Sequence, residues 1–219
     1  MNKRVIVLIS PAALIAFCSA SVVLLHVRMG EWVFIPAFVL YWGISFAITF
    51  AFAGAPYIHH LFQKPAGSRI WPIMAIVIGF IPVSILLRNL NIITAPLLLL
   101  NMLFALVNPF FEELYWRGFV LDFAFSSKIA GSLYSSVFFI ASHLFIWGVF
   151  SYGNRNLFLF LSLAIMSAAW CVIRIQTKSL WWCIVSHFLV DVFNLLVFVM
   201  LNKYIPEQGY IPQLELLFP

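Results

Sequence analysis

Residues 94–121, TAPLLLLNMLFALVNPFFEELYWRGFVL, combine a long apolar run with three charged residues near its end, Glu112, Glu113 and Arg117. About 20 consecutive apolar residues suffice for a helix to cross a bilayer, so this segment is predicted to span a membrane. Ionisable side chains at that depth are costly and usually face the interior of a helical bundle. The segment therefore predicts an all-α transmembrane fold and also the region of a functional site.

The composition of the whole chain agrees with a membrane protein. Of its 219 residues, 64% are hydrophobic and only 9% are charged, whereas about a quarter is usual in soluble domains. The net charge of +5 comes from scattered Lys and Arg residues, without the basic stripe that nucleic-acid binding needs. Cys18, Cys171 and Cys183 form no C-x-x-C pair, so no zinc site, redox motif or disulfide framework is predicted.

Seven apolar segments are predicted to span the membrane, with six to eight as the range. They are residues 5–25, 32–53, 70–87, 94–121, 132–147, 157–173 and 180–201. The first run continues past Ser19 and Ser21, which favours an uncleaved span over a signal peptide. No repeat or soluble domain interrupts the segments, so residues 1–219 are predicted to form a single transmembrane domain.

Loop charges predict that the N-terminus is cytoplasmic, because Lys and Arg accumulate in cytoplasmic loops. With that topology the inner segments hold Lys3, Arg4, Lys64, Arg69, Lys128, Arg174 and Lys178, and the outer segments hold only Arg28, Arg88, Arg155 and Lys203. Tryptophans near predicted span ends are typical of an interfacial aromatic belt; they are Trp71, Trp147, Trp181 and Trp182.

A few polar residues remain at membrane depth once the loops are removed. They are Glu112, Glu113 and Arg117 in the fourth span, His143 in the fifth, and His187, Asp191 and Asn194 in the seventh. A helix rises 1.5 Å per residue, which puts Glu112, His143, His187 and Asp191 roughly 10–17 Å from the inner face. These side chains can share one layer, which favours a common site.

Helix geometry predicts different partners for the two glutamates. Glu113 and Arg117 are four residues apart on one helix face, where an internal ion pair is expected. Glu112 is rotated by about 100° from Glu113, so it is left free for other partners. Pro109 either kinks the helix and opens space beside Glu112 or is an ordinary membrane-helix proline.

Glu112 and the two histidines form a set that could activate water. A carboxylate beside a histidine can take a proton from water, and a second polar cluster can stabilise the oxyanion that forms at the attacked carbonyl. Glu112 with His143 fits the first role, and His187 with its neighbour four residues on fits the second. Ser142 and Ser186 directly precede histidines and point away from them, so no serine nucleophile is predicted.

Three motifs in chain order carry a resemblance to a known family. They are Glu112-Glu113-x-x-x-Arg117, Phe139-x-x-x-His143 and His187-x-x-x-Asp191. In these motifs the chain resembles the CPBP family, the CAAX proteases and bacteriocin-processing enzymes also called the ABI family. The resemblance implies a helical bundle that encloses a polar intramembrane cavity.

The same resemblance implies roles for individual residues. Glu112 would be the water-activating base with His143 as its partner, and His187 and Asp191 would stabilise the oxyanion. Glu113, Arg117, Phe139 and Asn194 would support them. In well-studied members the last motif ends in asparagine, whereas Asp191 donates a hydrogen bond only when protonated. Either Asn194 supplies that amide, or Asp191 orients His187.

The implied activity is that of an intramembrane endopeptidase acting near the terminus of a membrane-associated peptide or protein. Membrane lipid and that substrate are the expected partners, and the bacterial inner membrane is the expected location. No cofactor is predicted, although two histidines and two carboxylates could bind a divalent ion such as zinc. Two other classes stay open, a non-catalytic immunity or scaffold protein and a proton-coupled transporter.

Overall fold

A computed structural model of the protein describes residues 3–205, 209–211 and 213–214. Within these residues the chain forms helices and no β-strand. Five stretches are long and apolar enough to cross a membrane. Large apolar side chains cover much of the outer surface, and Leu24, Val27 and Ile129 are 75% or more exposed. The protein is therefore an all-α, polytopic integral membrane protein, as predicted.

The first stretch, Lys3–Ala53, contains two helices that pack together. Helix α1 (Lys3–Met29) and helix α2 (Phe34–Ala53) are joined by the 3₁₀ turn Gly30–Val33. Gly30 has φ +56°, a left-handed conformation that costs glycine little. The first two predicted spans correspond to these helices.

The third predicted span is divided by a proline. After helix α3 (Ala55–Leu61), helix α4 (Ile70–Phe80) ends before Pro82 and helix α5 (Val83–Arg88) begins after it. Proline has no N–H group with which to continue the helical hydrogen bonds. The two short helices together still make the candidate span Ile70–Arg88.

The fourth span widens after Glu113. Helix α6 (Ala95–Glu113) continues through Pro109, Leu114–Val120 then form a π-helix, and helix α7 (Leu121–Phe123) ends the span. Every residue of the π-helix is buried. Short π segments frequently occur at functional sites because they redirect side chains within a helix. The helical pattern therefore changes after Glu113, whereas Pro109 lies inside the continuous helix α6.

The fifth and sixth spans begin at side-chain caps. Helix α8 (Lys128–Phe145) follows Ser127, and helix α9 (Leu157–Thr177) follows Asn156. Both side-chain oxygens accept hydrogen bonds from backbone N–H groups of the first turn, which is the usual role of these residues at a helix start.

Trp147 lies between these two helices and is only 1% exposed. Its ring stacks on Phe38 with centroids 4.2 Å apart. The sequence placed this tryptophan in an interfacial belt, and that interpretation is wrong for Trp147. Its position near a span end did not reveal that the chain turns inward there.

The seventh predicted span is wrong as a continuous helix. Helix α10 (Trp181–Phe193) is followed by Leu195 in a left-handed conformation, φ +55°, and then by helix α11 (Leu196–Met200). With 13 residues, α10 is too short to cross a bilayer alone. The Asn101 side chain accepts a 2.9 Å hydrogen bond from the Val197 N–H. This bond gives a partner to one of the backbone N–H groups in the first turn of α11.

A charged cluster joins several helices at one end of the bundle. Asp122 accepts hydrogen bonds from Tyr57 at 2.8 Å, Lys128 at 2.7 Å and Arg174 at 2.8 Å. Burial, and then the charge of Asp122, raises the pKa of the Tyr57 phenol. Lys3 lies at the same end, over the ring of Phe123. Three residues of the predicted inner set therefore share one end of the molecule.

Candidate active site

Three helices bring the predicted catalytic residues to one small cavity. Glu112 comes from α6, His143 from α8, and both His187 and Asp191 from α10. All four line a cavity of about 40 Å³. His143 is half-buried, and the other three side chains are buried. The structure therefore brings together the residues that counting along the spans assigned to one layer.

His187 is surrounded by carboxylates. Its Nδ1 lies 2.8 Å from Glu113 Oε1, and its Nε2 lies 3.5 Å from both Glu112 Oε2 and Asp191 Oδ1. The ring stacks on Trp170 with centroids 4.5 Å apart. Ionised carboxylates only accept hydrogen bonds, so an imidazolium, which donates from both nitrogens, matches these neighbours. In that form His187 brings positive charge to the cavity.

Glu113 and Arg117 form the predicted internal ion pair. Arg117 Nη1 lies 3.2 Å from Glu113 Oε1, and both side chains are fully buried. Arg117 also donates a 2.9 Å hydrogen bond to Ser167 Oγ, and its guanidinium lies 4.1 Å from the centre of the Phe139 ring. Because Glu113 Oε1 contacts His187 as well, the pair also supports the candidate site.

Phe139 orients both histidines. Its backbone carbonyl accepts a 2.9 Å hydrogen bond from His143 Nδ1. That contact leaves His143 Nε2 as an acceptor in the neutral tautomer. The Phe139 ring packs edge-on against His143 at 4.7 Å and against His187 at 6.2 Å. The ring and the carbonyl of this supporting residue thus contact different parts of the site.

Asn108 joins two of the carboxylates, and sequence analysis did not identify it as a site residue. Its Nδ2 donates to Asp191 Oδ2 at 3.0 Å and to Glu112 Oε2 at 3.3 Å, while its Oδ1 accepts from Trp42 Nε1 at 2.9 Å. The available signal was its place four residues before Glu112, on the same helix face. Nothing in the sequence indicated that Trp42 or Asp191 would lie beside it.

Glu112 uses only one carboxylate oxygen for hydrogen bonds with the described residues. Oε2 faces Asn108 and His187, whereas Oε1 is buried without such a partner. The Tyr41 hydroxyl interacts electrostatically with this carboxylate and accepts a 2.7 Å hydrogen bond from Trp116. The cavity of about 40 Å³ can hold at least one water molecule, which needs about 10–15 Å³.

A larger cavity, of about 730 Å³, adjoins the small one. Its volume lies within the range of roughly 300–1,000 Å³ that is usual for ligand sites. The side chains that line both cavities are Leu159, Met166, Val190, Asn194 and Val199. Asn194 caps the end of α10, so this predicted supporting residue lies at the junction of the two cavities.

The serines beside the histidines are engaged elsewhere. Ser142 Oγ donates to the Phe139 carbonyl at 2.7 Å, and Ser186 Oγ accepts from Trp170 Nε1 at 2.9 Å. The three cysteines are buried and free. No cluster of three His, Cys, Asp or Glu side chains in the described part of the chain has the arrangement of a metal site.

The comparison with protein families matches the part of the chain that holds this site. Residues 93–193 match the family described as Rce1-like, type II CAAX prenyl endopeptidase. No curated protein and no solved structure matches the chain. The matched segment includes the three motifs, and Asn194 lies just beyond it. Over residues 93–193, this integral membrane protein is therefore similar to the Rce1-like type II CAAX prenyl endopeptidases, a family of peptide hydrolases.

Proposed function

We propose that the protein is an intramembrane endopeptidase that hydrolyses a peptide bond near the terminus of a membrane-associated peptide or protein, with Glu112 activating the water. The observation that carries this proposal is that the two Glu112 oxygens differ in their hydrogen bonding. Oε2 is held by Asn108, and Oε1 has no hydrogen-bond partner among the described residues. Such a carboxylate is fixed in orientation and can still accept a proton.

The proposed reaction uses one water molecule. Glu112 Oε1 accepts a proton from the water as its oxygen bonds to the carbonyl carbon of the substrate. His143 orients that water through Nε2, and His187, oriented by Asp191, stabilises the resulting oxyanion. Glu112 then gives the proton to the leaving nitrogen as the carbon–nitrogen bond breaks. The products are a carboxylic acid and an amine, and Glu112 is again a carboxylate.

The larger cavity is proposed to bind the substrate. The cavity beside Glu112 has room for water but not for a peptide, whereas about 730 Å³ is available next to it. A substrate placed there would reach the catalytic groups past Val190 and Asn194. We propose the bacterial inner membrane as the location, with the N-terminus in the cytoplasm. The shared end of Lys3, Lys128 and Arg174 supports that orientation.

A direct test is cleavage by the purified protein in lipid nanodiscs. The probe is an internally quenched peptide with a farnesylated cysteine followed by three residues, compared with the same peptide without the lipid. Cleavage of either peptide, located by mass spectrometry, supports the proposal. A well-folded protein that cleaves neither peptide, nor any member of a membrane-inserted peptide library, contradicts it.

Blocking the junction of the two cavities should reduce cleavage. Leu159 lines both cavities, so Leu159→Trp is expected to raise the KM or lower the kcat by about tenfold or more, the effect of a steric clash of about 1–3 kcal/mol. Leu161→Trp is the matched control, because Leu161 lies on the same helix and is 52% exposed. Equal rates for both variants would argue against this substrate path.

Cleavage should not depend on a metal ion. Asn108 Nδ2 lies between Glu112 and Asp191, at the place where a cation shared by the two carboxylates would bind. Chelators such as phenanthroline are therefore expected to leave the rate unchanged, and Asp191→Asn should retain activity because an amide can still accept from Asn108. A chelator-sensitive wild type together with an inactive Asp191→Asn variant would instead indicate a metal-dependent protease.

A further inference from the structure

Glu112 and Asp191 are two buried carboxylates that share the same neighbours. Both lie 3.5 Å from His187 Nε2, and both accept a hydrogen bond from Asn108 Nδ2, at 3.3 and 3.0 Å. Carboxylates this close repel each other unless a donor or a positive charge lies between them. Since the contacts with Asn108 are the shorter ones, its amide is the main hydrogen-bond donor that holds the two side chains together.

Trp42 decides which end of the Asn108 amide faces the carboxylates. The indole N–H can only donate, and it lies 2.9 Å from Asn108 Oδ1. The amide NH₂ must therefore point towards Glu112 and Asp191. If the amide were turned over, its NH₂ would face the indole N–H and its oxygen would face two carboxylates. All three hydrogen bonds would be lost in a side chain that is only 3% exposed.

We propose that Asn108, oriented by Trp42, is a positioning residue that holds Glu112 and Asp191 together for the reaction. The inference rests on the proposed function. It also explains how the site can work with aspartate at position 191. An ionised aspartate has no hydrogen-bond donor for Glu112, and the amide of Asn108 supplies that donor from helix α6 instead. The need for Asn108 should consequently depend on the charge at position 191.

A double-mutant cycle tests this dependence. Asn108→Leu removes the amide at similar size, and it is made in the wild type and in Asp191→Asn. In the wild type it should lower the kcat by about ten- to a hundredfold with little change in the KM, because only the longer contacts with His187 Nε2, at 3.5 Å, then offset the repulsion between Glu112 and Asp191. In Asp191→Asn, where Glu112 is the only carboxylate that Asn108 contacts and a second amide is present, the same change should cost less than about threefold.

Trp42→Phe provides a second variant with a milder change. Phenylalanine keeps most of the ring contacts with Phe104 and Phe111 but lacks the N–H that fixes the amide. It should lower the kcat in the wild type by severalfold and have little effect in Asp191→Asn. Asn91→Leu is the matched control for Asn108→Leu. Asn91 is exposed and should tolerate the same change in both backgrounds.

The thermal unfolding midpoint of each variant, measured in the same detergent, completes the cycle independently of catalysis. A larger loss of stability from Asn108→Leu in the wild type than in Asp191→Asn supports the inference even if no peptide is cleaved, and that pattern would count against the proposed function alone. Equal losses of rate and of thermal midpoint in both backgrounds would overturn the inference, because Asn108 would then act only through helix packing.

Discussion

Glu112→Gln is expected to lower the kcat for peptide cleavage by about 10²–10⁴-fold, the usual contribution of a general base. Glutamine keeps the shape of the side chain and can still accept from Asn108 at the position of Oε2. It cannot take a proton from water at the position of Oε1. The measurement is the cleavage rate of the quenched peptide by purified protein, together with the amount of protein in the membrane.

The matched control for this change is Glu31→Gln. Glu31 is an exposed glutamate in the turn between α1 and α2, so the same chemical change there should leave cleavage unaffected. If Glu112→Gln cleaves peptide at nearly the wild-type rate, the water-activating role assigned to Glu112 is wrong. If the variant is made normally and keeps a cellular phenotype of the wild type, a non-catalytic immunity or scaffold function is favoured.

Breaking the pair between Glu113 and Arg117 is expected to destabilise the protein strongly. Arg117→Met leaves Glu113 with one cationic neighbour fewer, and Glu113→Gln leaves a buried guanidinium without its carboxylate. Removing one member of a fully buried pair costs about 3–5 kcal/mol, and both partners here are fully buried. Thermal unfolding in detergent and the abundance of each variant in the membrane measure this loss.

Two comparisons separate the ion pair from a catalytic role. The double variant Glu113→Gln/Arg117→Met removes both charges and should recover much of the lost stability. Its cleavage should remain slow, because glutamine holds His187 less well than Glu113 does. Lys128→Met breaks an ion pair whose lysine is 51% exposed and should cost less than about 1 kcal/mol. A stable Arg117→Ala protein that is specifically inactive would indicate that Arg117 binds substrate.

Much of the site was predictable from spacing, because an α-helix rises by a constant amount per residue. Counting from the span ends placed Glu112, His143, His187 and Asp191 at one depth, and these residues do line one cavity. The four-residue separation of Glu113 and Arg117 predicted their ion pair because about 3.6 residues per turn put these positions on one helix face. In the last span the constant rise does not hold, because Leu195 interrupts the helix.

The sequence by itself determined that the chain lies in a membrane, that it is helical, and which few polar residues lie within the apolar layer. These properties follow from local composition and helical periodicity, which a chain carries before it folds. Only the tertiary structure decided how those polar residues pair. The side chains of Trp42, Asn108 and Asp191 belong to three different helices, and their separation along the chain carries no information about which of them will touch. Which side chains form hydrogen bonds with each other depends on how the helices pack. A buried donor or acceptor without a partner is costly, and helix packing determines which groups lie close enough to be partners.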